Sequence, residues 1–114
     1  TYIRPHKHFN KSESLHVIYG SADVVFFDDR GIIKKIISLS NNLANSSFYY
    51  RISKPIYHTF IIKSDCFIFH ETTQGPLKKS DSIFASWSPK DTEFKKILLF
   101  KKKLFKDVGK LSHP

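Results

Sequence analysis

Three side chains able to ligate a metal fall within eight residues near the start of the chain: His6, His8 and Glu13, in TYIRPHKHFNKSESLHVIYG. In an extended strand alternate side chains share a face, so His6 and His8 would project together across roughly 6–7 Å of backbone and could converge on one ion. A polar turn over residues 9–12 would reverse the chain and place Glu13 at the head of a second strand, closed by Gly20, facing the two histidines. A single histidine is most simply read as a packed structural residue. An H-x-H with a glutamate five residues on points instead to metal ligation. Mixed imidazole and carboxylate ligands suit Fe(II), Mn(II), Ni(II), Co(II) or Zn(II) without choosing among them.

The elements that must position these residues read as short strands. Residues 21–27 form a β-rich run, Asp28-Asp29-Arg30-Gly31 is a turn, and residues 32–39 complete a hairpin. Residues 40–47, SNNLANSS, have no periodicity and read as a loop. Strands follow over 48–52, 58–63 and 66–71, separated by the Pro55 turn and the Ser64-Asp65 turn. Gly75-Pro76 should turn the chain again before a closing strand over 83–87, with Trp87 plugging one end of the core. This spacing predicts an all-β antiparallel sandwich or small barrel. Cys66, in Cys66-Phe67-Ile68-Phe69, reads as a buried strand thiol. From residue 91 the period becomes helical: Phe94, Ile97, Leu98, Leu104, Phe105 and Val108 predict a C-terminal amphipathic helix over 92–109, capped by Asp91 or Thr92 and stopped by Gly109. Residues 110–114 would be a tail.

Several of these blocks resemble a known family. His6-x-His8-x4-Glu13-x6-Gly20 is similar to the first motif of the cupin superfamily, and Ser53-Lys54-Pro55-Ile56-Tyr57-His58 to the second, with Pro55 where many cupins have glycine. TYIRPHKH, VVFFDDRG, YHTFII, FHETTQGP and FASWSPKD resemble, in order, successive blocks of the WbuC-type cupin-fold metalloproteins of bacterial O-antigen clusters, over about residues 1–91. The resemblance implies a cupin double-stranded β-helix, or jelly-roll barrel, over 1–91. It also implies a further N-terminal segment ahead of Thr1 and His58 as the fourth metal ligand. The function it implies is a metal-dependent role in O-antigen or lipopolysaccharide biosynthesis, on a nucleotide-linked sugar. An Fe(II)-dependent oxygenase and a non-catalytic sugar-binding module are the alternatives; aerobic turnover with bound iron would favour the first, tight saccharide binding without conversion the second.

Other residues take weaker roles. Arg4 shares the His6 face by strand parity and could hold a phosphate or carboxylate by a bidentate pair, or form a surface salt bridge. Tyr19, on the Glu13 face by the same parity, could line the pocket. Glu71 could orient a ligand imidazole or act as a general base. His16 points away from Glu13 by alternation, and His70 and His113 lack ligand neighbours.

With 114 residues, 40% hydrophobic and eleven phenylalanines, the chain suits one core-bearing domain. It has no apolar run of transmembrane length and no secretory pattern, which predicts a cytoplasmic protein. The net charge of +9 favours acidic partners, and lysines 95, 96, 101, 102, 103 and 106 concentrate it on the terminal helix. There it makes a solvated face or a weak peripheral contact with an anionic membrane. No nucleic-acid partner is expected, because the aromatics follow strand-core patterns and form no exposed stacking platform. An uncovered edge strand would favour a homodimer.

Overall fold

Leu15 and Val17 alternate with the polar Ser14 and His16, whereas residues 24–27 are an unbroken apolar run, and this difference sets the layers of the molecule. The computed structural model describes residues 2–9, 12–42, 46–73 and 82–112. It contains β1 (His6–His8), β2 (Glu13–Tyr19), β3 (Ser21–Phe27), β4 (Ile33–Ser40), β5 (Tyr49–Ile52), β6 (Tyr57–Ile62), β7 (Ile68–Thr73), β8 (Ser82–Phe84) and α1 (Phe94–Ser112). The strands form two antiparallel sheets, one in the order β4-β3-β6-β1-β8 and the other β5-β2-β7. The chain is thus mostly β, with one C-terminal helix.

Strand β2 buries Glu13, Leu15 and Val17 and exposes His16 and Ile18, because only one of its faces is covered. Strand β3 is buried from Ala22 to Phe27 because both of its faces are covered. Val24 and Phe26 pack between the sheets against Leu15, Val17, Leu39 and Ile52. Val25 and Phe27 point the other way and meet Leu104 and Val108 of α1. Each fully buried aliphatic or aromatic side chain of this kind contributes roughly 1.5–3 kcal/mol.

The β3–β4 turn is built by Asp28, whose Oδ1 accepts the amides of Arg30 and Ile32, both at 2.9 Å. Gly31 follows at φ 90°, with the Trp87 ring against its α-carbon, so a side chain there would meet both backbone strain and indole. Gly20 closes β2 at φ 94°, packed on the Cys66 carbonyl and the Ser64 hydroxyl.

Four details differ from the sequence expectations. Cys66 is exposed, because β7 begins only at Ile68 and the preceding loop is held by the Ser64 hydroxyl bonded to the Cys66 carbonyl at 2.6 Å. Strand β8 ends at Phe84, and Trp87 lies in the turn beyond it. Its ring packs beneath α1 against Phe27, Tyr57 and Phe100, and its Nε1 donates to the Asp29 carbonyl at 2.9 Å. It therefore supports the helix and does not plug the inter-sheet core. The helix starts at Phe94, with Glu93 ahead of it: the Glu93 carbonyl accepts the Ile97 amide and its carboxylate accepts the Lys90 amide, both at 2.9 Å. The helix also continues through Gly109 to Ser112, into the expected tail. Expected features at Gly75-Pro76 and His113 lie outside the described residues.

Gly109 is thus a helix residue with open space where a Cβ would stand. Gly109→Ala should stabilise the protein by about 0.5–1 kcal/mol, read as a raised urea midpoint.

Candidate metal centre

The ligand cluster arises from strand register. On the five-stranded sheet Phe26 pairs with His58, His58 with His6, and His6 with Phe84, so these four side chains form one row on the face turned to the other sheet. His8 lies two residues on and shares that face. Across the gap, Glu13 heads the inner face of β2, next to Leu15, which pairs with Glu71 of β7. A charged residue at a core-facing strand position needs a partner, and the row of histidines supplies it.

The atoms converge. His6, His8 and His58 each offer a ring nitrogen within 4.8 Å of the others, and His8, Glu13 and Glu71 form a second such triad through shared His8. Glu13 Oε1 lies 2.9 Å from His58 Nε2, and Glu13 Oε2 lies 3.7 Å from His8 Nε2. His58 and Glu13 are almost fully buried, while His8 is 13% exposed and marks the open side.

Each imidazole is oriented through its other nitrogen. His6 Nδ1 donates to the Arg4 carbonyl and His58 Nδ1 to the Ile56 carbonyl, both at 2.9 Å. A carbonyl only accepts, so the proton of each neutral ring sits on Nδ1 and the Nε2 lone pair is free. His8 Nδ1 meets the Ser82 hydroxyl at 2.9 Å. Backbone or hydroxyl partners on the far nitrogen characterise metal-ligating histidines. Phe26 and Phe60 flank the His58 ring and Phe84 the His6 ring, with centroids 6.1–6.4 Å away, which covers the buried end of the row with apolar rings.

The electrostatics leave one conflict in the metal-free protein. Glu13 Oε1 is buried without a hydrogen-bond partner of acceptable geometry, although His58 Nε2 is 2.9 Å away. In the neutral ring this contact sets two lone pairs face to face. A proton or a cation between them removes the repulsion. Burial opposes ionisation of Glu13. With a proton between the two groups the contact becomes a hydrogen bond, and this, with the hydrogen bond to Glu71 and the charges of His58 and His8, outweighs burial and holds the Glu13 carboxyl down to about 2. Glu71 moves the other way, pushed up to about 8 by its hydrogen bond to Glu13, then by burial and the Glu13 charge. The pair therefore shares one proton, held on Glu71 at the exposed side. Burial, then repulsion from His58, lowers the pKa of His6, so its ring is kept neutral and able to coordinate.

The residues fit a divalent transition metal. Two ligand atoms each about 2.1 Å from one ion lie roughly 3–4 Å apart, close to the separations found here. His6, His8, Glu13 and His58, the expected set, are brought together, and Glu71 joins them at the rim.

Two expected site residues stand elsewhere. The ladder slips between Val17 and Tyr19, so Tyr19 pairs with Ile68 and is 57% exposed, away from Glu13 at the other end of β2. The Arg4 side chain is occupied by the turn after β8: Nε donates to the Ser88 hydroxyl at 3.0 Å and Nη2 to the Ala85 carbonyl at 3.2 Å, with the guanidinium over the Phe84 ring. It buttresses the strand beside His6. His16 and His70 pair on the outer face of the small sheet and stay clear of the cluster, His16 as alternation predicts. Ser82, which orients His8, was missed: a serine 74 residues away carries no signal in the sequence.

Fold and cluster define a two-sheet β protein with a histidine–glutamate centre fit for a transition metal. A family model described as a domain of unknown function (DUF6016) matches residues 1–39, which include His6, His8 and Glu13 and stop before His58. No curated protein and no solved structure matches the chain.

Proposed function

We propose that the chain is a cupin-type metalloprotein whose His6, His8, Glu13 and His58 hold a divalent transition metal. Its role in this reading is in bacterial O-antigen or related surface-polysaccharide biosynthesis, on a nucleotide-linked sugar. The observation that carries the metal is the Glu13–His58 contact, where a buried carboxylate oxygen and an oriented imidazole nitrogen face each other at 2.9 Å and the oxygen has no other hydrogen-bond partner. Eight described strands in two antiparallel sheets support the jelly-roll reading. The polysaccharide context rests on the sequence blocks that resemble WbuC-type proteins.

A bound ion would supply Lewis acidity toward a sugar carbonyl or paired hydroxyls. The chain itself provides an apolar wall of Phe26 and Phe60 behind the ligands and a proton on Glu71 at the exposed side. Glu71 is the group placed to give or take a proton from a molecule entering there.

Elemental analysis of natively purified protein tests this. One metal ion per chain is expected in the parent, and its loss in His8→Ala and Glu13→Ala. Stoichiometric metal persisting in both variants would overturn the ligand set. Metal occupancy should also fall on acidification, because protons compete with the ion for its ligands.

A further inference from the structure

The terminal helix carries two apolar stripes, and the fold uses only one. Ile97, Phe100, Leu104 and Val108 are turned to the five-stranded sheet or its turns. Roughly a quarter-turn further round, Phe94, Leu98 and Phe105 form a second stripe, between 50% and 75% exposed. Lys95, Lys101 and Lys102 border a shallow open hollow between Leu98, Leu99 and Phe105. Of the seven helix lysines, Lys96 is paired, with Glu93 at 2.9 Å. Among the described residues the other six make no ion pair. The helix's single acid, Asp107, sits on its sheet side beside Gly31 and Ile33.

We propose that this second face docks the protein on the surface of an anionic lipid bilayer. Phe94, Leu98 and Phe105 enter the headgroup boundary, and Lys95, Lys101 and Lys102 lay their stems along the stripe and reach lipid phosphates. Charge decides the occupant. A second copy seated on this face would bring unpaired lysines against unpaired lysines, which opposes association, whereas an anionic headgroup layer complements them. No helix of the described residues is long and apolar enough to cross a membrane, so the contact is peripheral, with the helix lying in the interface plane. The inference is independent of the metal reading, since neither the stripe nor its lysines touch the histidine row.

Flotation of the full chain with vesicles tests it, comparing pure phosphatidylcholine with equal parts phosphatidylcholine and phosphatidylglycerol. Binding is expected only to the phosphatidylglycerol vesicles and should weaken with added salt. Combining Lys95→Glu, Lys101→Glu and Lys102→Glu should reduce partitioning by roughly a hundredfold. Phe94→Ser with Leu98→Ser should reduce it by about tenfold. Lys95, Lys102, Phe94 and Leu98 are exposed and Lys101 is half-buried, so an unchanged melting temperature confirms that each variant is folded. Three results would overturn the proposal. The first is failure to float with phosphatidylglycerol. The second is unchanged flotation of the Phe94/Leu98 variant, which leaves charge adhesion without insertion. The third is a lipid-free dimer that this same variant dissociates, which assigns the face to a second copy.

Discussion

Adding a divalent transition metal to the chelator-stripped protein should raise its melting temperature by roughly 15 °C at saturation. A ligand that binds only the folded state, present at about a thousand times its dissociation constant, stabilises by about 4 kcal/mol. A domain of this size shifts by roughly 4 °C per kcal/mol. The folded state is primed for this response: three rings are fixed through Nδ1, and an entering ion takes the place of the proton between Glu13 and His58. The unfolded chain offers the same groups scattered over more than fifty residues, so little of the affinity survives unfolding. Ni(II) and Zn(II) should shift the transition further than Mn(II), following the general affinity order of such ligands. Glu13→Gln should abolish most of the shift, whereas Glu71→Gln, altered at the rim, should keep most of it. Scanning calorimetry reads both. A parent protein that none of these ions stabilises would remove the metal from the account.

The site was legible where strand geometry is regular and invisible where it is not. His6 and His8 could be placed on one face because a strand alternates strictly, and Glu13 because a short turn must bring the next strand back. His58 could not be placed by spacing, since its approach depends on β6 lying beside β1, a pairing made across fifty residues. It came with the resemblance of the second motif, and the register His6↔His58 supplies the physical reason. Parity failed at Tyr19 because it assumes one residue per step, and the irregularity after Val17 breaks that count. It succeeded in placing Arg4 near His6 but could not foresee that the Ala85–Ser88 turn would occupy the guanidinium. Cys66 misled because apolar neighbours suggested a strand before the loop had ended. In the terminal helix Phe94, Leu98 and Phe105 were read with Ile97, Leu104 and Val108 as one face. Periodicity alone does not show which part of a wide apolar arc finds a partner, and the sheet covers only the latter set.

Replacing His58 by alanine should remove the loss of stability that the metal-free protein shows as the pH falls below 4.5. In the parent, Glu13 titrates at about 2 when folded against 4.5 when unfolded. The unfolded chain therefore takes up this proton first. The carboxylate contributes roughly 3 kcal/mol above pH 4.5, and that contribution is lost as the pH falls from 4.5 toward 2. Glu71 acts in the opposite sense at higher pH: with a folded value of about 8 against 4.5 unfolded, it adds stability as the pH falls from 8 toward 4.5 and changes little below that. His58→Ala removes the contact at 2.9 Å and leaves Glu13 buried, so burial, already the largest influence on it, counts for more. Its folded pKa then rises, because only Glu71 and His8 remain to oppose burial. The variant should be destabilised by roughly 3–5 kcal/mol at neutral pH, the cost of stranding one partner of a buried ionic pair. Its stability should then change little as the pH falls from 4.5 toward 2, where the parent loses its Glu13 contribution. Leu15→Ala provides the control: a cavity costing about 2–5 kcal/mol in the same core, with the acid profile of the parent retained. Urea unfolding in chelator, at pH values on either side of 4.5, separates the two. A His58→Ala profile parallel to that of Leu15→Ala would mean that Glu13 does not depend on His58 for its charge, and the pairing at the centre of the site would fall.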